Sequence, residues 1–488
     1  MSKLKLTVPS KIQVLAAIPG LVTYVFLAFI YDVPANERDF YTAIGVSALL
    51  VNLWIAEPIP IWLSSILPFF LLPAHGVIEL TDASKAYFNN TIFLFFGGFL
   101  LAYSVEKWHL HKRIAFRLLA LTGDNPKGII WGMMLTTYLI SMWISNTATA
   151  IMMLPVAISI TAIVKDHHSK VNKAFFTCLI LGIAYGANIG GIATIIGTPP
   201  NIVYKGYVND LLKMDLSFLK WMTIGVPLSL LMLWIAYYLM VNVFFKVKAS
   251  SLPEVAAMLD NQAEQLGEMK SAEKRTMIIF GLAAFLWVFG QPINALLKSI
   301  NINFKVEEYL VALVFGLILF IVPKARKTSE KLLVLNDLKA ISWSILLLFG
   351  GGMCMAKGLE STGVIKAMGE YIRTAQTGNT DILILIVIGT ALFLTELMSN
   401  VALAQIYIPV VFGVSASLGF ANPHVLGIPV TIACSFAFMF PISTPPNAVV
   451  FSSGKIKIKD MAFAGFLINI VGILLLWAVA KFVIPYLF

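Results

Sequence analysis

Charge is what this chain has least of. Only 12% of its 488 residues are Asp, Glu, Lys or Arg, about half the share of a soluble domain. Missing with it is the polar cover that would let 59% hydrophobic residues fold in water. Cysteine is scarce too. Cys178, Cys354 and Cys434 each lie inside an apolar run, which excludes a disulfide framework or a cysteine metal cluster. These shortages exclude a soluble enzyme, a nucleic-acid binder and a disordered chain. A bilayer is the solvent in which a mean hydropathy of +0.86 makes sense.

The net charge of +10 is dispersed among short loops, as in cytoplasmic loops of a membrane protein. Lys3, Lys5 and Lys11 precede the first apolar run, and Asp32, Glu37 and Asp39 follow it. That asymmetry puts the N-terminus in the cytoplasm, with 324–339 (Lys324, Arg326, Lys327, Lys331, Lys339) on the same side. The first run lacks a small-residue cleavage site and reads as a retained helix. Apolar runs recur from 12–31 to 461–488, and several are too short to span. An all-α polytopic fold follows, with about eleven spanning helices plus two re-entrant hairpins. The longest polar segment, 246–275, balances five basic against five acidic residues and reads as a solvated connector, with helix after Pro253.

The halves on either side of that connector repeat. Ser145-Asn146-Thr147-Ala148-Thr149-Ala150 with Pro155-Val156 matches Ser399-Asn400-Val401-Ala402-Leu403-Ala404 with Pro409-Val410, at a constant offset of 254. Phe96-Gly97-Gly98 pairs with Phe349-Gly350-Gly351, and Thr198-Pro199-Pro200-Asn201 with Thr444-Pro445-Pro446-Asn447. Three blocks in the same order define a duplicated architecture. Ser and Asn can bond freed backbone where a helix breaks, and two prolines force such a break. Unwound backbone at membrane depth is tolerated only where protein buries it or it lines a cavity. Matching breaks in two halves therefore point to a transporter binding site. A lone Ser-Asn would be packing glue and a lone Pro-Pro a kink. Two of each in register reverse that judgement.

No block contains Lys, Arg, Asp, Glu or His. Hydroxyls, carboxamides and amides at half-helix N-termini suit carboxylate or sulfate oxygens, and unwound carbonyls suit a hard cation such as Na⁺. A doubly charged anion held by dipoles alone is costly at membrane depth. It needs accompanying cations or a basic side chain nearby.

These motifs, with Glu106-Lys107 and Leu110-His111-Lys112-Arg113, resemble the divalent anion:sodium symporter family, the INDY-type dicarboxylate transporters, over nearly the whole chain. The resemblance implies a homodimer in the cytoplasmic membrane whose transport domain, built of inverted repeats, moves as an elevator. It places scaffold helices at 1–83 and 216–335, repeat hairpins with broken helices at 84–215 and 336–460, and a last helix at 461–488. The re-entrant hairpins themselves would lie near 84–115 and 337–370. Substrate carboxylates would meet Ser145, Asn146, Thr147, Ser399, Asn400 and the position of Val401, with Thr198, Pro199, Thr444 and Pro445. One Na⁺ site maps to Ser141, Ser145, Asn146 and the backbone of Gly197, and the other to Thr395, Ser399, Asn400 and the backbone of Ser443.

Val401 departs from the family's Thr, and Met398 and Asn188 are unusual as well. These departures favour exchange of C4–C5 dicarboxylates (succinate, malate, fumarate or 2-oxoglutarate). Na⁺-coupled symport, for which every mapped side chain is retained, is the alternative, and sulfate is the rival substrate. No cofactor is expected beyond Na⁺ as coupling ion. A channel would need a filter, and a membrane enzyme a metal motif or dyad. Neither is visible. Lys107 and Lys357 read as snorkelling residues, with buried positive charge in place of Na⁺ as the sharper alternative. Glu396 reads as structural, since a bare acid would repel the anion. His109 and His111 belong to a basic cytoplasmic end, and His167-His168 to a solvated loop. Gly186, Gly190, Gly191 and Gly197 read as close helix packing, not a nucleotide loop.

Overall fold

A computed structural model describes residues 9–167, 173–248, 251–326, 328–375, 379–420 and 422–488. Its regular elements are helices. His168 and the side chain of His167 lie outside the described residues. Among the described residues nine helical stretches are long and apolar enough to cross a membrane, and four apolar helices are shorter.

Side-chain caps set where the key helices begin. Asn125 accepts from the Lys127 amide at 2.9 Å, ahead of Pro126 at the first helical position. Asn379 accepts from the Asp381 amide at 2.8 Å. These two caps are again 254 residues apart, so the repeat extends beyond its motifs. Each cap opens a helical hairpin. In the first, Pro126–Ser141 turns at 142–145 into Asn146–His167. In the second, Thr380–Thr395 turns at 396–399 into Asn400–Ser417. Both leading arms have 16 residues, about 24 Å at 1.5 Å per residue. That falls short of a ~30 Å hydrocarbon core, so a hairpin of this length turns within it.

The family resemblance puts hairpins near 84–115 and 337–370. The structure has helix pairs there, Asn90–Lys107 with Leu110–Ala120 and Trp343–Ser361 with Val364–Ala375. Their turns carry no Ser-Asn motif. The Gly-Gly blocks in them serve close packing between helices. A Cβ on Gly97 would lie 2.3 Å from the Ala312 carbonyl group, and one on Gly351 would lie 2.3 Å from the Ser65 carbonyl oxygen. Small residues there let Asn90–Lys107 approach Glu308–Ile318, and Trp343–Ser361 approach the short helix Ile61–Ser64.

After each hairpin comes a broken helix. Lys173–Ile192, almost wholly buried, unwinds and resumes at Pro199–Asp210, while His424–Ala433 resumes at Pro445–Ser452. The resumed stubs trade places. Pro199–Asp210 packs on Asn400–Ser417 and His424–Ala433 of the second repeat, and Pro445–Ser452 on Asn146–His167 and Lys173–Ile192 of the first. Hydrogen bonds fasten the exchange: the Tyr207 hydroxyl donates to the Gln405 carbonyl at 3.0 Å, and the Tyr185 hydroxyl to the Phe438 carbonyl at 3.0 Å.

The segment 246–275 corrects its reading as a solvated connector. Pro253–Gln265 is the expected helix, but it docks, burying Val255 and Leu259 against the hairpin region. Buried Arg113 meets Glu273 at 3.0 Å and donates to the Leu266, Gly267 and Glu268 carbonyls. A charge count alone cannot see that these groups find partners across the fold.

Gly190 sets how closely the first hairpin approaches the broken helix. A Cβ there would lie 2.4 Å from the Tyr138 carbonyl oxygen. Gly190→Ala is expected to cost at least about 1–3 kcal/mol by overpacking. It should lower the thermal midpoint of the detergent-purified protein, and a midpoint equal to wild type would show that the approach tolerates a methyl group.

Candidate functional site

The four motifs meet. Every residue assigned from sequence to the substrate lines a single cavity of about 840 Å³, as do Gly197 and Ser443. Four helices, Asn146–His167, Pro199–Asp210, Asn400–Ser417 and Pro445–Ser452, begin at its wall. Helix N-termini present unpaired amide N–H groups and the positive end of the macrodipole. The cavity is therefore rich in donors aimed inward. Among the described residues its charged lining is two carboxylates, Glu57 and Glu106, and no basic side chain.

Lys107 and Lys357 do not fill that gap. Lys107 pairs with Asp337 at 2.6 Å and Lys357 with Glu360 at 3.0 Å, and neither lines the cavity. The idea of a lysine standing in for Na⁺ is thereby overturned, because each ammonium is already neutralised by its own carboxylate.

Each Ser-Asn tip has the same hydrogen-bond logic. The Ser141 hydroxyl lies 2.6 Å from Asn146 Oδ1 and 2.9 Å from the Ala187 carbonyl. The Thr395 hydroxyl lies 2.8 Å from Asn400 Oδ1 and 2.6 Å from the Cys434 carbonyl. A hydroxyl has one proton to give, so each cluster gathers three oxygens around a single hydrogen. Such oxygen-rich clusters fit a hard cation. Ser141 and Thr395 stand behind the wall, and they hold each Asn by its oxygen, leaving Nδ2 as a donor for the cavity. Gly191 clears the space. A Cβ on it would lie 2.7 Å from Asn146 Oδ1.

The unwound backbone is stitched by the Asn of each Thr-Pro-Pro-Asn block, both fully buried. Asn201 Nδ2 donates to the Gly191 and Thr194 carbonyls at 3.0 and 2.7 Å, and Asn447 Nδ2 to the Ala437 and Phe440 carbonyls at 3.0 Å each. In the second repeat Glu396 adds a second clasp. Its buried carboxylate accepts from the Phe438 and Met439 amides at 2.7 and 3.0 Å, from the Ser443 hydroxyl at 2.5 Å and from Asn469 Nδ2 at 2.7 Å. This is the structural role read for it from sequence. A buried carboxylate without a basic partner persists where hydrogen-bond donors surround it.

Trp54, Glu57, Tyr103, Glu106 and Ser342 also line the cavity, from segments far apart in the chain, and of these only Glu106 falls in a motif marked in the sequence. Asn188 also lines the wall; its only sequence signal was a polar residue in a Gly-rich run.

A cavity of paired helix breaks inside a multi-pass helical bundle defines a membrane transporter rather than an enzyme. Comparison with known proteins gives the family. A model described as the sodium:sulfate symporter transmembrane region matches residues 17–487, and the chain belongs to that family, the divalent anion:sodium symporters. It is a multi-pass protein of the plasma membrane. The chain is 35% identical over 488 residues to the sodium-dependent dicarboxylate transporter SdcS of Staphylococcus saprophyticus, covering 97% of this chain and 92% of that one. It is 37% identical over 455 residues to SdcS of Staphylococcus aureus strain USA300, covering 90% and 86%. Among solved structures, the fold is similar to the Alcanivorax borkumensis YdaH transporter (TM-score 0.57, 13% identity, 83% of this chain and 87% of that one). It is also similar to Neisseria gonorrhoeae MtrF (TM-score 0.55, 14% identity, 94% and 97%).

Glu396→Gln would replace one acceptor oxygen by an N–H₂ group facing amide donors. Hydrogen bonds to charged groups are worth about 1.5–3 kcal/mol, and a loss of that order is expected, read as a lower thermal midpoint. An unchanged midpoint would show that the clasp is dispensable.

Proposed function

We propose that this chain is a Na⁺-coupled symporter of C4–C5 dicarboxylates. The observation that carries this reading is the cavity itself, with four helix N-termini around it and no basic side chain among the described residues of its wall. A dianion enters such a site only with compensating cations, and the two oxygen clusters behind Asn146 and Asn400 supply places for them. Na⁺ bound there would neutralise the substrate's charge. The same Asn side chain faces the cation through Oδ1 and the carboxylate through Nδ2, so each ligand orients the group that the other needs.

The sequence departures at Met398, Val401 and Asn188 favoured exchange. The lack of a basic side chain among the described residues of the cavity wall and the sodium-dependent relatives support the symport alternative instead. A site with two equivalent tips suits an anion with two carboxylate ends better than sulfate, whose oxygens surround one centre.

Two of the lining residues, Glu57 and Glu106, support an inward-facing state. Glu57 accepts through its carbonyl from Gln13 Nε2 at 3.3 Å, beside the start of the first helix. Glu106 neighbours Lys107, whose partner Asp337 lies in the basic segment assigned to the cytoplasm. The exchanged stubs tie both hairpins together, which supports their moving as one transport body against the scaffold, as an elevator of inverted repeats does. The partners in this reading are dicarboxylates, the lipid bilayer and a second copy of the chain.

Proteoliposome uptake of radiolabelled succinate tests the proposal. An inward Na⁺ gradient is expected to drive accumulation, while uptake driven only by internal dicarboxylate would replace symport by exchange. Ohmic single-channel currents would remove the carrier altogether. Asn146→Ala and Asn400→Ala should each lower uptake roughly tenfold or more, the loss expected for a hydrogen bond to a charged group, and near-normal uptake in both would refute the site.

A further inference from the structure

We propose that Asn188, reaching out of the first repeat, locks the Thr444 hydroxyl of the second as a donor to one end of the substrate, and so replaces the hydroxyl missing at Val401. The inference rests on the dicarboxylate reading above and adds a positioning residue to it.

Thr444 lines the cavity at the start of the second stub. Its hydroxyl oxygen lies 3.2 Å from Asn188 Nδ2, whose two hydrogens are shared among three acceptors, and accepts from the Asn447 amide at 3.4 Å. A hydroxyl has two acceptor lone pairs and one hydrogen. Both neighbours are N–H groups that cannot accept, so the hydrogen has to point elsewhere, and the open side is the cavity. The orientation of Asn188 is fixed independently. Its Nδ2 also faces the Ala437 carbonyl at 3.0 Å and Asn447 Oδ1 at 3.1 Å. Turned over, its oxygen would confront two acceptors.

The first repeat has no such lock. Thr198, the counterpart of Thr444, makes no side-chain cap bond. Ala187 and Cys434 are matched by accepting the Ser141 and Thr395 hydroxyls, which makes Ser435 the counterpart of Asn188. The Ser435 hydroxyl is buried without a partner. The asymmetry mirrors the motifs. At the first tip Thr147 follows Asn146 and supplies a hydroxyl, whereas at the second Val401 follows Asn400 and supplies none. Thr147 and Thr444, which line the same cavity, then each commit a hydroxyl to the dianion. Asn188 and Val401 thereby become parts of one compensation.

The test uses the full-length protein in proteoliposomes, with KM and Vmax for succinate. In Asn188→Asp an acceptor replaces Nδ2, and the Thr444 hydrogen turns to it. KM is expected to rise about tenfold, the effect of withdrawing one donor from a carboxylate, with a smaller change in Vmax. Thr444→Val should raise KM similarly, and the double variant should lose no more than either single one. Val401→Thr should restore KM in an Asn188→Ala background, a rescue that general damage to packing would not show. Multiplied losses in the double variant, or failure of Val401→Thr to restore KM, would overturn the proposal. Should Asn188→Asp fail to fold, the rescue pair alone decides. Absence of succinate uptake by the wild type would instead overturn the functional reading.

Discussion

A polypeptide broken inside a bilayer must satisfy its own freed amides and carbonyls, and this requirement organises the molecule. Each break leaves carbonyls that a carboxamide closes, Asn201 in one repeat and Asn447 in the other. In the second repeat the carboxylate of Glu396 takes up the loose amides as well. What is left unsatisfied is deliberate in its direction. The stubs and the trailing arms of both hairpins begin at the cavity, so the unpaired N–H groups face a solute instead of hydrocarbon. The polar groups that would be a liability in lipid thus line the cavity.

The duplication matters because neither repeat can complete this alone. Each stub packs on the other repeat's hairpin, so closing one break depends on the presence of its counterpart. The exchange also brings both Ser-Asn tips to one cavity. Neutral donors in a cavity free of basic side chains make the energetics of the anion inseparable from those of cations: without compensation a dianion in that place is too costly. In the proposed symport, coupling follows from the lack of a fixed positive charge among the described residues of the wall. A lysine or arginine in the wall would hold the anion at all times and remove the dependence on a second solute.

Much of the site was legible along the chain. Pro-Pro within an apolar run can mean only a break or a kink, and Ser-Asn at a constant offset named the tips. The glycines of 186–197 were correctly read as close packing, as Gly190 against Tyr138 illustrates. The paired caps Asn125 and Asn379 were equally available, since their spacing equals that of the motifs. Other features were out of reach. The hairpins near 84–115 and 337–370 were placed by resemblance, and their Gly-Gly blocks meet Ala312 and Ser65, contacts that no local pattern announces. The segment 246–275 has the composition of a solvated linker, yet Arg113 buries against it. Lys107 had candidate roles until Asp337 was found beside it.

Periodicity, breakers and repetition are properties of neighbouring residues, and they suffice to state that this chain crosses a membrane, that its halves correspond and that four uncharged motifs interrupt its apolar runs. Whether an ammonium is free, which hydroxyl donates and which accepts, and where a cavity opens depend on atoms brought together from distant stretches. Asn188 shows the difference. In the chain it is one polar residue in a glycine-rich run, and in space it lies between two repeats, within hydrogen-bond reach of Thr444 and Asn447. Hydrogen bonds act over about 3 Å, and only folding sets which groups come within that distance.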